Sequence, residues 1–265
     1  MDRIIVSKIE LIKIANEEGV RKYGLGCLTN QKHPGFESKL KWLKKEFENG
    51  LRMIVLNVDG KSAGMIEYTL SEFFWRPVAA ENYLMIHCLW IINSKNHKKG
   101  YGTLLINECV KEAKQRKMDG IGIITSDGPW MAGKNIFLKN GFKQIEEKGR
   151  FELLVLQLKN GKVPAFINWE DRSISSKDFK IIYTNQCPMF AKCIPDLKSV
   201  AKSKNIRLKI SQLKSSKDAR NAPSGYGVMN IVKNKKIFAD HYISGKRFDN
   251  ILKREKGEGI KKNIL

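Results

Sequence analysis

The chain has 265 residues, 42% of them hydrophobic and 29% charged, with a formal net charge of +22. That length allows one large domain or two small ones, and that apolar share is enough to build a core, so disorder is not the default. The run of ~18 or more apolar residues that a membrane-spanning helix needs is missing, and the opening "MDRIIVSKIELIKIANEEG" reads as mature protein rather than as a signal peptide.

In chain order, "DRIIVSKIELI" alternates as a strand. "HPGFESKLKWLKKEFENG" is a helix with Leu40, Leu43 and Phe47 on one face, stopped by Gly50. "LRMIVLNVDGKSAGMIEYTLS" is a hairpin turning at Asp59-Gly60. "NYLMIHCLWII" is a continuous apolar strand of the fully buried type. A helix runs from Thr103 to about Lys117, with Leu104, Leu105, Cys109, Val110 and Ala113 inward. "GIGIITS" is a strand, "AGKNIFLKNGF" a short helix ended by Gly141, and "FELLVLQL" a last strand. The Gly-, Pro- and Ser-containing stretch that follows reads as a connector, placing a first domain at residues 1–160, a linker at 161–178 and a second domain at 179–265. The second begins with the strand "KIIYTNQCP". It continues with a helix over "KCIPDLKSVAKSKN", a strand at "IRLKISQL", a breaker "NAPSGYG", a hairpin "VMNIVKNKKIFADHY" and a helix at "SGKRFDNILKRE", then a basic tail.

The positive charge is uneven. Residues 1–160 hold 26 Lys+Arg against 18 Asp+Glu (+8), and residues 161–265 hold 23 against 9 (+14). The lysines are scattered singly or in pairs without an RNA-binding signature, so a solvated basic surface is favoured over a nucleic-acid partner. Five cysteines (Cys27, Cys88, Cys109, Cys187, Cys193) are odd in number and lack zinc-type pairing. That pattern fits a reducing cytoplasm and no metal.

The junction "WIINSKNHKKGYGTLLINECVKEAKQ" is the most informative stretch. A loop that leaves a buried strand and opens a helix aims backbone N–H groups at one point, where the helix dipole adds about half a positive charge. Gly100 and Gly102 let an anion approach the backbone, and Lys98 and Lys99 add charge. The natural guest is a phosphate or pyrophosphate. The spacing is wrong for a Walker loop, and Leu105 stands where a dinucleotide-binding fingerprint needs its third glycine.

His97-Lys98-Lys99-Gly100-Tyr101-Gly102 resembles the acetyl-CoA loop of the GNAT superfamily of N-acetyltransferases. Asn135 through Gly141-Phe142 is similar to that family's second motif, and the resemblance covers roughly residues 1–158. It implies an α+β GNAT fold: a mixed, mostly antiparallel, splayed sheet flanked by helices. It also implies acetyl-CoA as cosubstrate. The thioester arm would pair near Trp90, Ile91 and Ile92, the pyrophosphate would rest on the amides of residues 98–103, including Thr103, and Asn135 would hold the pantetheine arm. Three departures from the family are visible, one being that the buried strand lacks the glutamate often used as base, with His87 and Cys88 in its region. His97 replaces a Gln or Arg, and Phe137 stands where many members carry the tyrosine that protonates the leaving thiolate.

Acetyl transfer needs an uncharged nitrogen and a proton acceptor. Glu67, on the strand that the family uses for acceptor binding, and His87 and Cys88, on the buried strand, are the catalytic candidates. Strict alternation would turn only one of His87 and Cys88 toward the cleft. Tyr68, Trp75, Ser126 and Trp130 are candidates for the acceptor pocket. In the second domain, Cys187 followed by Pro188 at a helix start resembles the thioredoxin and glutaredoxin arrangement, with Pro223 as its cis-proline adjacent to Cys187. The whole is similar to GNAT proteins fused to a small YoaP-like, thioredoxin-like domain. The leading expectation is acetyl transfer to an amine of a small-molecule acceptor, the second domain assisting its binding. The alternative is a thiol-redox or thiol-conjugate protein using Cys187, with the first domain as a CoA sensor.

Overall fold

The computed structural model describes residues 8–172 and 174–255. Its first unit opens with β1 (Ile9–Ile14), α1 (Glu17–Tyr23) and α2 (Gly35–Glu48), followed by the hairpin β2 (Arg52–Val58) and β3 (Lys61–Leu70). After β4 (Val78–Ala79) come β5 (Tyr83–Ile91), α3 (Tyr101–Gln115), β6 (Gly120–Thr125), α4 (Asn135–Lys139), β7 (Lys143–Lys148) and β8 (Phe151–Gln157). The hairpin turns as expected, with both Asp59 and Gly60 at positive φ, the geometry that matches strand twist. Residues 2–7 of the predicted first strand and the basic tail after Glu255 lie outside the described residues.

These strands form a seven-stranded sheet in the order β1-β2-β3-β5-β6-β8-β7, antiparallel throughout except for β5 beside β6. The parallel pairing runs only from Tyr83↔Gly120 to Ile86↔Ile123. Beyond it, β5 continues to Ile91 with its β6 side open, so the sheet parts there, as the resemblance implied. One face of the sheet (Ile54, Ile66, Leu84, Ile121) packs with Leu105, Ile106 and Cys109 of α3. The other face (Met53, Val55, Met85, Leu153) packs with Phe36, Leu40 and Leu43 of α2.

The chain then forms β9 (Ala165–Phe166), β10 (Phe179–Tyr183), α5 (Phe190–Ser203), β11 (Leu208–Gln212), α6 (Ser216–Arg220), β12 (Met229–Lys233), β13 (Lys236–Ala239) and α7 (Gly245–Glu255). A second sheet has the order β11-β10-β12-β13, with β10 parallel to β11 and the other pairs antiparallel. The stretch read as a connector is partly structured. Strand β9 pairs with β4, and Trp169 packs edge-on against Phe151 and Phe166. Besides β4 and β9, the short elements α1, α6 and β7 escaped the sequence reading. In α1, the Asn16 side chain caps by accepting from the Gly19 amide. In α6, Ser215 and Asp218 form a capping box. Strand β7 is a largely exposed sheet edge, so it lacks apolar alternation.

One apolar cluster runs through both units, joining Phe36, Leu40 and Trp75 to Phe179, Phe190 and Leu197. Helix α5 packs on α7 and also on α2. Arg150 bridges the units in bidentate fashion, donating to the two Asp240 carboxylate oxygens at 2.7 and 3.2 Å. The closest approach is at Gly35, where a Cβ would stand 1.9 Å from the Pro188 carbonyl oxygen. Only a residue without a side chain lets the start of α2 lie against that backbone.

Candidate active site

Two adjoining spaces lie where the sheet parts. The outer one is a groove of about 870 Å³ bounded by Leu89, Trp90, Ile91, Gly100, Gly102 and Asn135, among others. The chain enters it with Lys98 and Gly100 both at positive φ, and Gly100 serves as the N-cap of α3 with no side chain satisfying the cap. The first amides of α3 have no acceptor within the helix and are free for an anion. Gly102 brings α3 close to α4: a Cβ there would stand 2.3 Å from the Ile136 Cδ1. Asn140 ties the two helices by donating to the Thr103 hydroxyl at 3.2 Å.

The inner space is a cavity of about 170 Å³ that shares Leu89, Trp90 and Ala132 with the groove. Its polar wall comes from both units: Lys39 on α2, Glu67 on β3, Arg76, His87 and Cys88 on β5, and Gln186, Cys187 and Tyr226 from the second unit. Glu67 is fully buried. It accepts from the Lys39 ammonium at 2.5 Å and from the Gln186 amide at 3.1 Å. Lys39 also lies 4.0 Å from the centre of the Trp42 ring. Burial by itself would raise the Glu67 carboxyl, but Lys39 and His87 outweigh it and hold the group down at about 2. His87 accepts from the Trp75 amide at Nε2 (3.1 Å), which leaves the proton on Nδ1, 3.4 Å from the Glu67 carboxylate. The ring stacks on Phe74 with centres 5.0 Å apart. Burial, stronger than the pull of Glu67, pushes His87 below its ordinary value and keeps it neutral.

Strict alternation fails at one point of β5. The register with β3 slips between Glu67↔Cys88 and Tyr68↔Ile86, so His87 is the extra residue of a bulge. Contrary to expectation, His87 and Cys88 therefore both line the cavity.

The other predicted residues separate. Trp90, Ile91, His97, Lys98, Gly100, Tyr101, Gly102, Thr103 and Asn135 border the groove. Lys99 and Ile92 instead border a neighbouring hollow, and the Ile92 amide is already bonded to the Ala63 carbonyl. Phe137 is fully buried against Phe142 and reaches neither space. Tyr68 points to the opposite sheet face, where its hydroxyl donates to Glu112 at 2.7 Å. Trp75 is buried, its indole N–H given to Glu46 at 2.9 Å. The Ser126 hydroxyl accepts from Arg150 at 2.8 Å and lies outside the cavity wall. Trp130 does line the cavity and packs on Tyr242, ring centres 5.0 Å apart.

The surroundings of Cys187 do not favour an activated thiol. Burial pushes Cys187 up to about 12, the reverse of an activated thiol. Cys27 and Cys88, on the same cavity, are likewise raised to about 12 by burial. Cys193 is a core thiol facing the Ile243 carbonyl at 3.3 Å. No cis peptide bond occurs among the described residues, and Pro223 lines a separate hollow with Trp169 and Ile237.

Among the cavity residues that the sequence reading missed are Lys39, Arg76, Gln186 and Tyr226. Lys39 was detectable, since it shares the helical stripe of Phe36, Leu40 and Leu43. Arg76 is the one charge in "FFWRPVAA". Gln186 and Tyr226 carry no local signal.

The neutral His87 makes a pH prediction. The unfolded imidazole binds a proton below about 6.5, whereas the buried ring resists it, so the unfolded state holds more protons and acidification destabilises the fold. Denaturant midpoints of the wild type should fall between pH 7 and pH 5. The His87→Asn variant should show a flatter curve over that interval, and an unchanged slope would contradict the burial account.

Residues 25–142 match the model of the acetyltransferase (GNAT) family. The first unit is thus a GNAT acetyltransferase domain, and the chain is an acyltransferase. The chain is 27% identical over 229 residues to the N-acetyltransferase YoaP of Bacillus subtilis strain 168, itself described as uncharacterized, an overlap covering 84% of this chain and 90% of that protein. Among solved structures it is similar to the PaiA N-acetyltransferase of Thermoplasma acidophilum in complex with coenzyme A (16% identity, 57% of this chain and 99% of that one, TM-score 0.40). It is also similar to the Campylobacter jejuni N-acetyltransferase PseH in complex with acetyl coenzyme A (20% identity, 57% and 100%, TM-score 0.40). Among the described residues no helix is long and apolar enough to cross a membrane.

Proposed function

We propose that the protein transfers an acetyl group directly from acetyl-CoA to the amine of a small acceptor seated in the inner cavity. The observation that carries this is that the two spaces adjoin, sharing Leu89, Trp90 and Ala132 as lining residues. A cosubstrate diphosphate on the amides at Gly100–Thr103 sends its thioester arm past Trp90 toward Glu67 and His87. Asn135 borders the path of the pantetheine arm.

The proton chemistry follows from the pairings. The Glu67 charge is neutralised by Lys39, and the His87 lone pair is committed to the Trp75 amide. Neither is a free base of neutral pKa, so both act by shaping and polarising the cavity. An acceptor nitrogen that reaches the cavity uncharged suits it best. With Phe137 buried elsewhere, Tyr226 is the only hydroxyl among the cavity-lining residues, and we assign it the proton that the departing CoA sulfur needs.

The second unit closes the acceptor side through Gln186, Cys187, Met189 and Tyr226. Its strand order, with α5 crossing between parallel β10 and β11, supports a thioredoxin-like arrangement that serves as an inert wall. On this reading residues 1–160 are the catalytic domain, 161–178 the linker and 179–265 the accessory domain, in a cytoplasmic enzyme.

Titration calorimetry with acetyl-CoA tests the groove. The wild type should bind, and Gly100→Val, which forces a β-branched residue to φ near +78°, should weaken binding on the order of tenfold or more. Absence of uptake by the wild type would end the acetyltransferase reading.

A further inference from the structure

Arg76 is 6% exposed and lines the inner cavity. Its guanidinium donates to the His87 carbonyl at 3.3 Å and to the Met131 sulfur at 3.7 Å, and lies 5.3 Å from the Tyr226 ring centre. These neighbours are neutral, and among the described residues no carboxylate pairs with it. A buried charge without a counter-charge is costly unless something supplies one. The other groups around the cavity do not. Glu67 is matched by Lys39, His87 is neutral, and the thiols and the Tyr226 phenol are held in their protonated forms by burial. The cavity therefore carries one uncompensated positive charge.

The position is built. Gly227 of the second unit sits against it, so that a Cβ there would lie 2.7 Å from the Trp75 carbonyl and 3.0 Å from the Arg76 Cα. Much of the remaining wall is apolar, including Met65, Leu89, Ile123, Ile124, Met131 and Met189. Its volume of about 170 Å³ is close to the ~150 Å³ cavity that accepts a benzene ring.

We propose that the acceptor is a small amino acid whose carboxylate is held by Arg76 while its apolar body fills the cavity. This rests on the acetyltransferase reading and names its substrate class. A planar guanidinium matches the two oxygens of a carboxylate with parallel N–H donors, and a carboxylate brings the single negative charge that the cavity lacks. With the carboxylate anchored, the amine attacks the thioester carbonyl. The uncharged amine forms the N–C bond as the C–S bond breaks; Tyr226 gives its proton to the CoA sulfur and takes back the one that the nitrogen loses.

The test compares isovalerate with isovaleramide, which share a carbon skeleton, by calorimetry on the full-length protein saturated with CoA. The wild type should bind the carboxylate at least tenfold more tightly than the amide. Arg76→Met should bring the two within about twofold, and Arg76→Lys should keep part of the preference. Equal binding of both probes by the wild type, binding of neither, or a preference that survives in Arg76→Met overturns the proposal. CoA affinity is measured in the same samples. A wild type that takes up CoA but shows no carboxylate preference sinks the acceptor class alone, whereas failure to bind CoA sinks the enzymatic reading beneath it.

Discussion

Replacing Lys39 by leucine should destabilise the protein by about 3–5 kcal/mol, the usual cost of removing one partner from a buried ion pair. Lys39 and Glu67 are 1% and 0% exposed, so solvent cannot compensate the carboxylate left behind. Gln186 still donates to it, but a neutral amide does not replace the ammonium. The pH dependence gives a second readout. In the wild type the carboxyl sits at about 2 against an unperturbed 4.5. Its stabilising effect is therefore complete above about 4.5 and lost as pH falls toward 2. Without Lys39, burial is opposed only by weaker partners, and the carboxyl should protonate well above its wild-type value. The stability gap between variant and wild type should thus narrow on acidification. Denaturant unfolding of both proteins between pH 4 and pH 7.5 checks this. A gap independent of pH would mean that Lys39 matters through packing on Trp42 rather than through charge. Replacing both partners, as Lys39→Leu with Glu67→Leu, should recover much of the loss.

Gly35→Ala should destabilise the protein by roughly 1–3 kcal/mol or more. Local propensity argues the opposite sign, since alanine in a helix is better than glycine by about 0.5–1 kcal/mol. The deciding fact is what the new methyl meets: the Pro188 carbonyl oxygen at 1.9 Å, its carbon at 2.6 Å and its Cα at 2.9 Å. All three are backbone, so no rotamer change relieves the contact, and α2 or the segment before α5 must move. Gln186 lies two residues away and reaches Glu67 from the second unit. The same displacement should therefore open the inner cavity while leaving the groove at Gly100 in place. Thermal unfolding gives the sign, and acetyl-CoA calorimetry should show affinity close to wild type. An alanine variant more stable than the wild type would show that the two units do not dock as described.

Much of the first unit was legible because its signals are local. Gly60 and Asp59 make a turn that only positive φ allows, and the apolar strand of β5 ends in a loop whose glycines open α3. The site was less legible. Strand alternation separated His87 from Cys88, and one bulged residue brought them together. Phe137, Tyr68 and Trp75 fell on the right segments, but their side chains pack away from the cavity. Lys39 and Arg76 each stood out as a charge among apolar neighbours, which is a signal that a charge is buried without saying where.

The amino-acid sequence by itself determined the glycine turn that opens α3, because a left-handed glycine at a helix start acts through its own backbone and needs no distant partner. Only the tertiary structure decided the inner cavity. Its wall joins Lys39, Glu67, Arg76 and His87 to Gln186 and Tyr226, groups from separate elements that meet because one apolar core runs through both sheets. Whether a buried carboxylate is paired, or a buried guanidinium left open, depends on which groups that packing brings within a few ångströms.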